Sequence, residues 1–182
     1  YIDAVTCARV GKMCPARTDG FANLSFANQG AKLWGWDLNA QRELLRSDAA
    51  GSVSGSVQMS YLKAINTTTQ SALYNSMPFT AKFGLNQRRG TWTHAAELQW
   101  VDAKSDGSTI RNEQKTAAYA LLNVRTSYSW KQARLDFGID NLLDRFYAHP
   151  QGGAYVGQRP MTWGIPVPGA GRSINVGLNF TF

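Results

Sequence analysis

Residues 172–182 alternate without a break. Ile174, Val176, Leu178, Phe180 and Phe182 are apolar, and Ser173, Asn175, Gly177, Asn179 and Thr181 are small or polar. Successive strand side chains point to opposite faces, so this period predicts a β-strand with one apolar and one wet face. The same period recurs upstream. Leu135, Phe137 and Ile139 alternate with Arg134, Asp136, Gly138 and Asp140. Leu122, Val124, Thr126, Tyr128 and Trp130 alternate with Asn123, Arg125, Ser127 and Ser129. Phe79, Ala81, Phe83 and Leu85 oppose Thr80, Lys82, Gly84 and Asn86, and Val53, Val57, Met59 and Tyr61 oppose Ser54, Ser56, Gln58 and Ser60. Two noisier strands lie near Trp92–Val101 and Ala31–Leu44, the latter with Trp34, Trp36 and Leu38 on one parity. With a strand at Tyr1–Ala8, the pattern predicts eight.

The connections alternate as well. Arg46–Ala50, Gln87–Thr91 and Trp130–Gln132 are short, whereas Arg9–Gly20, Ala64–Ser76, Asp102–Lys115 and Arg145–Gly171 are long. Outer-membrane barrels pair short periplasmic turns with long extracellular loops. On that reading the long loops are outside and the last strand ends in the periplasm. Trp92, Trp100, Tyr128, Trp130 and Phe182 fall near strand ends, where interfacial aromatic girdles sit.

Composition agrees. No run approaches the roughly 18 apolar residues of a spanning helix, but a membrane strand needs only about 9–11 residues with every second one apolar. The expected fold is all-β: a transmembrane antiparallel β-barrel. The chain opens at Tyr1 already in strand pattern, without an initiator Met or signal peptide, which predicts a fragment or processed product.

The formal charge of +7 raises the question of nucleic acid. Its Lys and Arg are scattered along strands and turns rather than gathered into a binding patch, apart from Arg88-Arg89, so nucleic acid is not an expected partner. Cys7 and Cys14 lie in a polar stretch and predict a local disulfide in an oxidising compartment. The alternative is a soft-metal site of Cys7, Met13 and Cys14. No nucleophile elbow, phosphate loop or paired Cys-x-x-Cys occurs. His94 sits among strand aromatics, and Arg125 and Arg134 share a face with Asp136 and Asp140, which reads as a charge-compensated wall. The chain is expected to be no enzyme and to need no cofactor.

One block is more specific. Asp140-Asn141-Leu142-Leu143-Asp144-Arg145-Phe146-Tyr147, then a long loop, then Gly171-Arg172-Ser173 and an alternating strand ending at Phe182, resembles the C-terminal signature of TonB-dependent outer-membrane receptors. Gly35-Trp36-Asp37 and Met77-Pro78-Phe79 are similar to earlier strand motifs of that family. The physical roles expected are turn-shaping by Asn141 and Asp144 and a relaxed backbone at Gly171.

The resemblance implies that residues 1–182 form the C-terminal part, about eight strands, of a barrel of about twenty-two. The plug domain and the TonB-contacting segment would lie upstream of Tyr1. Its function would be TonB-energised uptake of a metal chelate such as a ferric siderophore. Other implied partners are outer-membrane lipid and, through the last strand, the barrel-assembly machinery. From loop position and chemistry, the ligand-side candidates are Tyr74, His149, Tyr155, Gln158, Arg159 and Trp163, since aromatic rings and Arg suit large anionic chelates. Two alternatives differ in class: a self-contained small barrel (porin, adhesin or lipid-modifying enzyme), and a soluble β-sandwich binding module. The sandwich would bury its apolar faces under a second sheet.

Overall fold

The computed structural model describes residues 2–6, 24–108, 111, 113–155 and 164–181. They form strands and turns. β1 (Ile2–Thr6) pairs antiparallel with β2 (Leu24–Asn28). A long wall follows: β3 (Ala31–Ser47), β4 (Gly51–Asn66), β6 (Thr80–Arg89), β7 (Trp92–Val101), β8 (Tyr119–Ser129), β9 (Ala133–Asp140) and β12 (Ser173–Phe180). Every neighbour in it is antiparallel and consecutive, in the order β12-β9-β8-β7-β6-β4-β3. Short β5 (Ser71–Ala72) returns along β4, and β10 (Ala154–Tyr155) pairs with β11 (Ile165–Pro166) within the last long connection.

The predicted strands are all present among the described residues, with β3 and β4 longer than expected. β2 was not predicted. The turns at one end are tight. β6 and β7 are joined by Gly90-Thr91 alone, and Gly90 has φ +57°, as the first central residue of a type II′ turn requires. The other end carries the long connections.

Register aligns the faces across the whole wall. Val176 lies opposite Phe137, Phe137 opposite Thr126, and Thr126 opposite His94; Leu122 lies opposite Leu98, Leu98 opposite Phe83, and Phe83 opposite Val57. Directly opposed residues share a face. One face is therefore a continuous apolar band, and the other carries Asn175, Asp136, Arg125, Glu97, Lys82 and Ser56. The band is uncovered: Val176 is 69% exposed and Leu98 43%. Among the described residues no second sheet packs on it, where a sandwich would bury it.

Aromatics edge the band at both ends. Trp92, Tyr128 and Trp130 form an edge-to-face chain at the short-turn end, with centroids 4.8 and 4.7 Å apart. Trp34, Trp36, Tyr61 and Phe79 cluster at the other end, with centroids 5.4–6.5 Å apart. On β7, Trp92 and Trp100 mark both edges. Their separation is about 27 Å of strand at about 3.4 Å per residue, or about 20 Å of height at a tilt of about 40°. That is close to the roughly 25 Å apolar band of outer-membrane barrels. His94 stacks on Trp92 at 5.7 Å and meets Thr126 Oγ1 through Nδ1 at 2.8 Å, so it belongs to this edge.

Candidate functional site

The polar face carries a paired ladder. Asp136 accepts from Arg134 at 2.8 Å, from Ser127 at 2.5 Å and from Asn179 at 3.0 Å. Asp140 accepts from Arg125 at 2.7 Å and from Asn175 at 2.8 Å. The Asn123 amide reaches Glu97 at 3.2 Å. The charges expected to compensate one another do so, strand by strand.

Where β9 ends, the Asn-Leu-Leu-Asp block becomes a clamp. Asn141 and Asp144 both have φ +51°, a left-handed conformation that Asn and Asp tolerate better than other side chains. Asn141 is 3% exposed. Its amide donates to the carbonyls of Arg145 at 2.9 Å and Ala170 at 3.3 Å, while its oxygen accepts from the Arg145 N–H at 2.8 Å. The Asp144 carboxylate accepts from the Arg172 N–H at 2.9 Å. Both side chains thus tie the end of β9 to the approach to β12. Gly171 has no positive φ; the expected relaxed backbone is not its role. A Cβ there would sit 3.3 Å from Asp144 Oδ1, so its smallness makes room for the clamp. The Tyr147 ring lies against Gly169, where an added Cβ would come within 2.2 Å of it.

Above the clamp the long connections fold onto the polar side of the wall. Val101, Tyr119 and Leu121 are buried on that face, with Met77 and Tyr147 packed against them. Met77 comes from the β4–β6 connection and Tyr147 from the β9–β12 connection. A buried ion pair then joins all three connections. Lys104 Nζ meets Glu113 Oε1 at 2.5 Å, with side chains only 2% and 8% exposed. Lys104 also donates to the Pro150 carbonyl at 3.1 Å, and Glu113 accepts from the N–H groups of Asn75 at 2.8 Å and Ser108 at 2.9 Å. The Gln151 amide donates to the Asn75 carbonyl at 2.8 Å. Every polar atom of the pair that is buried has a partner, which is what a buried pair requires to persist.

Beside this junction lies a cavity of about 100 Å³. Tyr74 and His149, from connections far apart in sequence, both line it. So do Arg111, whose guanidinium stacks 4.7 Å above the Tyr74 ring, and Gln114, Thr116 and Gln151. Tyr155 falls in β10, next to the lining residue Ala154. Gln158, Arg159, Trp163, Phe182, Cys7, Met13 and Cys14 lie outside the described residues. Among the described residues no cluster of three or more His, Cys, Asp or Glu could hold a metal. Lys104, Arg111 and Glu113 were not foreseen. Loop sequence has no period that would pair residue 104 with 113.

Against known families, residues 3–142 match the one described as TonB dependent receptor-like, beta-barrel. The chain belongs to the TonB-dependent receptor β-barrel family. Among solved structures it is similar to "Copper transporter OprC", with a TM-score of 0.78 and 20% identity over 91% of this chain. It spans 26% of that transporter's length. No curated protein matches by sequence. For a TonB-dependent receptor barrel the two faces have plain meanings. In such barrels an apolar outer face meets lipid and a polar inner face lines the lumen. The long connections of this chain lie on the polar side of the wall, at the end opposite the tight turns.

Proposed function

We propose that this chain is the C-terminal wall of an outer-membrane receptor that takes up a metal chelate, such as a ferric siderophore, with energy from the TonB system. The observation that carries the reading is the junction at the long-loop end. Three connections converge on the polar side of the wall, and Tyr74 and His149 share a cavity there. The long loops are outside, and the C-terminus lies in the periplasm. Strands and a plug domain encoded upstream complete the barrel and contact TonB. The last strand is the one read by the barrel-assembly machinery. Tyr155, Gln158, Arg159 and Trp163 extend the ligand surface along the last loop. Cys7 and Cys14 form a disulfide in the first. The chain does no covalent chemistry of its own.

Copper is the second reading. It is favoured by the likeness to a structure titled a copper transporter and by the soft donors Cys7, Met13 and Cys14. The deciding experiment compares a deletion strain with its complement for uptake of radiolabelled ferric chelates and of copper, with and without a protonophore. Protonophore-sensitive iron uptake restored by the gene supports the first reading. Copper uptake alone supports the second, and unchanged uptake of both overturns both.

A further inference from the structure

Three polar side chains interrupt the apolar band beside its short-turn edge. Gln87 lies opposite His94, and His94 opposite Thr126, all on the apolar parity. The His94 ring and the Thr126 hydroxyl share one hydrogen bond at 2.8 Å. If the hydroxyl donates it, the neutral ring carries its proton on Nε2; if the ring donates it, the hydroxyl proton is spare. In both tautomers the pair keeps one unused donor on the band. Two residues further from the edge the wall is hollow. Ala96 stands opposite Leu85 and Val124, and Phe137 closes the far side of a depression of about 390 Å³ with a mainly apolar lining. Two residues nearer the edge than Gln87, Arg89 lies opposite Trp92 on the same face. Arg89 is exposed and makes no ion pair among the described residues.

Cation, donor and hollow therefore follow one another inward from the edge. Each step is two residues, about 7 Å of strand at about 3.4 Å per residue. A glycerophospholipid presents matching groups in the same order: an anionic phosphate, ester carbonyls that only accept hydrogen bonds, and an apolar chain. We propose that this strip of β6, β7 and β8 holds one anionic glycerophospholipid. Its phosphate lies on Arg89, an ester carbonyl takes the spare donor of the His94–Thr126 pair, and a chain fills the hollow over Ala96. Each contact has its own physical reason. A guanidinium fork matches two phosphate oxygens. A donor at an apolar surface costs free energy until an acceptor meets it. A hollow left empty forfeits the dispersion contacts of its lining. An apolar side chain from a protein partner would fill the hollow, but it would leave Arg89 and the donor unmatched. The inference rests on the apolar band facing lipid, as in barrels of this kind, and not on which chelate is taken up.

The test titrates the full-length receptor in detergent with phosphatidylglycerol or phosphatidylcholine and reads bound lipid by native mass spectrometry. Heat-modifiable gel mobility checks that each variant is folded. The expected result is one phosphatidylglycerol held about tenfold more tightly than phosphatidylcholine, as a charge-assisted contact provides. Arg89→Gln should remove that preference. Ala96→Leu, which fills the hollow, should weaken both lipids about tenfold through lost apolar burial. Arg88→Gln removes the same charge one position away, but opposite Thr93 on the polar face, and should change neither. Equal losses in Arg88→Gln and Arg89→Gln, or folded variants that bind both lipids like wild type, overturn the site. So does a wild-type protein that retains neither lipid, or a dimer in place of the lipid-bound species, which would mean that a second copy covers the strip. A nitroxide at position 178, away from the strip, tests the band separately in vesicles of the same lipids. Oxygen access there with unaffected variants sinks the lipid site alone, and protection there sinks the lipid-facing reading with it.

Discussion

The Asp144 carboxylate accepts a hydrogen bond from the backbone N–H of Arg172 at 2.9 Å, across 28 positions of sequence. This one contact sets where the last strand begins. Together with Asn141 it explains in physical terms why the block after β9 takes Asn and Asp at these positions. Both must adopt a left-handed backbone and both must use a short polar side chain. Asp144→Asn keeps both properties and loses only the charge assistance, so it should cost under about 1 kcal/mol in urea unfolding. Asp144→Leu loses both and should lower stability by about 2 kcal/mol, the sum of a lost charge-assisted bond and a strained backbone.

Gly169 and Tyr147 make a matched pair. Gly169→Ala should displace the Tyr147 ring and increase hydrogen exchange in the last loop. Tyr147→Ala should do so as well, by opening a gap beside Tyr119, which packs 4.6 Å from Tyr147. Combining the two should cost less than the sum, because the second change relieves the clash created by the first. Strict additivity of exchange free energies would show that the ring and the glycine act independently.

The buried Lys104–Glu113 pair should respond asymmetrically to substitution. Lys104→Met leaves a buried carboxylate without its counter-charge and should destabilise the loop junction by about 3–5 kcal/mol. Lys104→Met with Glu113→Gln should recover part of that. Limited proteolysis in intact outer membranes reads the effect directly: the single variant is cut fastest, in the loops, with the strands protected. Equal cutting of single and double variants would mean that the charge is not what holds the loops.

A charge placed on the band should cost far more than one placed on the polar face. Leu98→Arg, near mid-height, should lower stability by about 2–4 kcal/mol. Asn86→Arg, on the polar face of the neighbouring strand, should cost under about 1 kcal/mol. Unfolding titrations of the two in lipid vesicles decide whether the apolar face meets lipid.

Nitroxide labels along residues 172–182 give an independent reading of the same wall. Positions 174, 176, 178 and 180 should be accessible to oxygen, and those between them to a polar nickel chelate. Protection of the apolar parity from both probes would place a protein layer over it.

The wall was legible because one apolar and one polar face impose the same parity on every strand. Val176, Phe137 and Leu98 announce their face wherever the register falls. Loop lengths then supplied the topology, since antiparallel neighbours joined in sequence leave little choice of order. β2 was missed because its alternation rests on Leu24 and Phe26 alone before Gln29-Gly30 interrupts it. Tyr74 and His149 were picked on loop position and chemistry, and the fold brings them together. The junction itself was not legible. Lys104, Glu113, Asn75 and Pro150 meet through loop geometry, and a single lysine or glutamate in a polar loop looks like any solvated charge.

The shared junction also limits how the long loops can be exchanged. A graft that brought in the β7–β8 loop of a relative would remove both members of the ion pair and strand the Asn75 and Pro150 backbone groups they satisfy. A graft of either other loop would leave Lys104 or Glu113 short of a partner. New ligand specificity is therefore best transplanted with all three loops as a cassette, or sought by changing residues that line the cavity while the junction beneath stays intact.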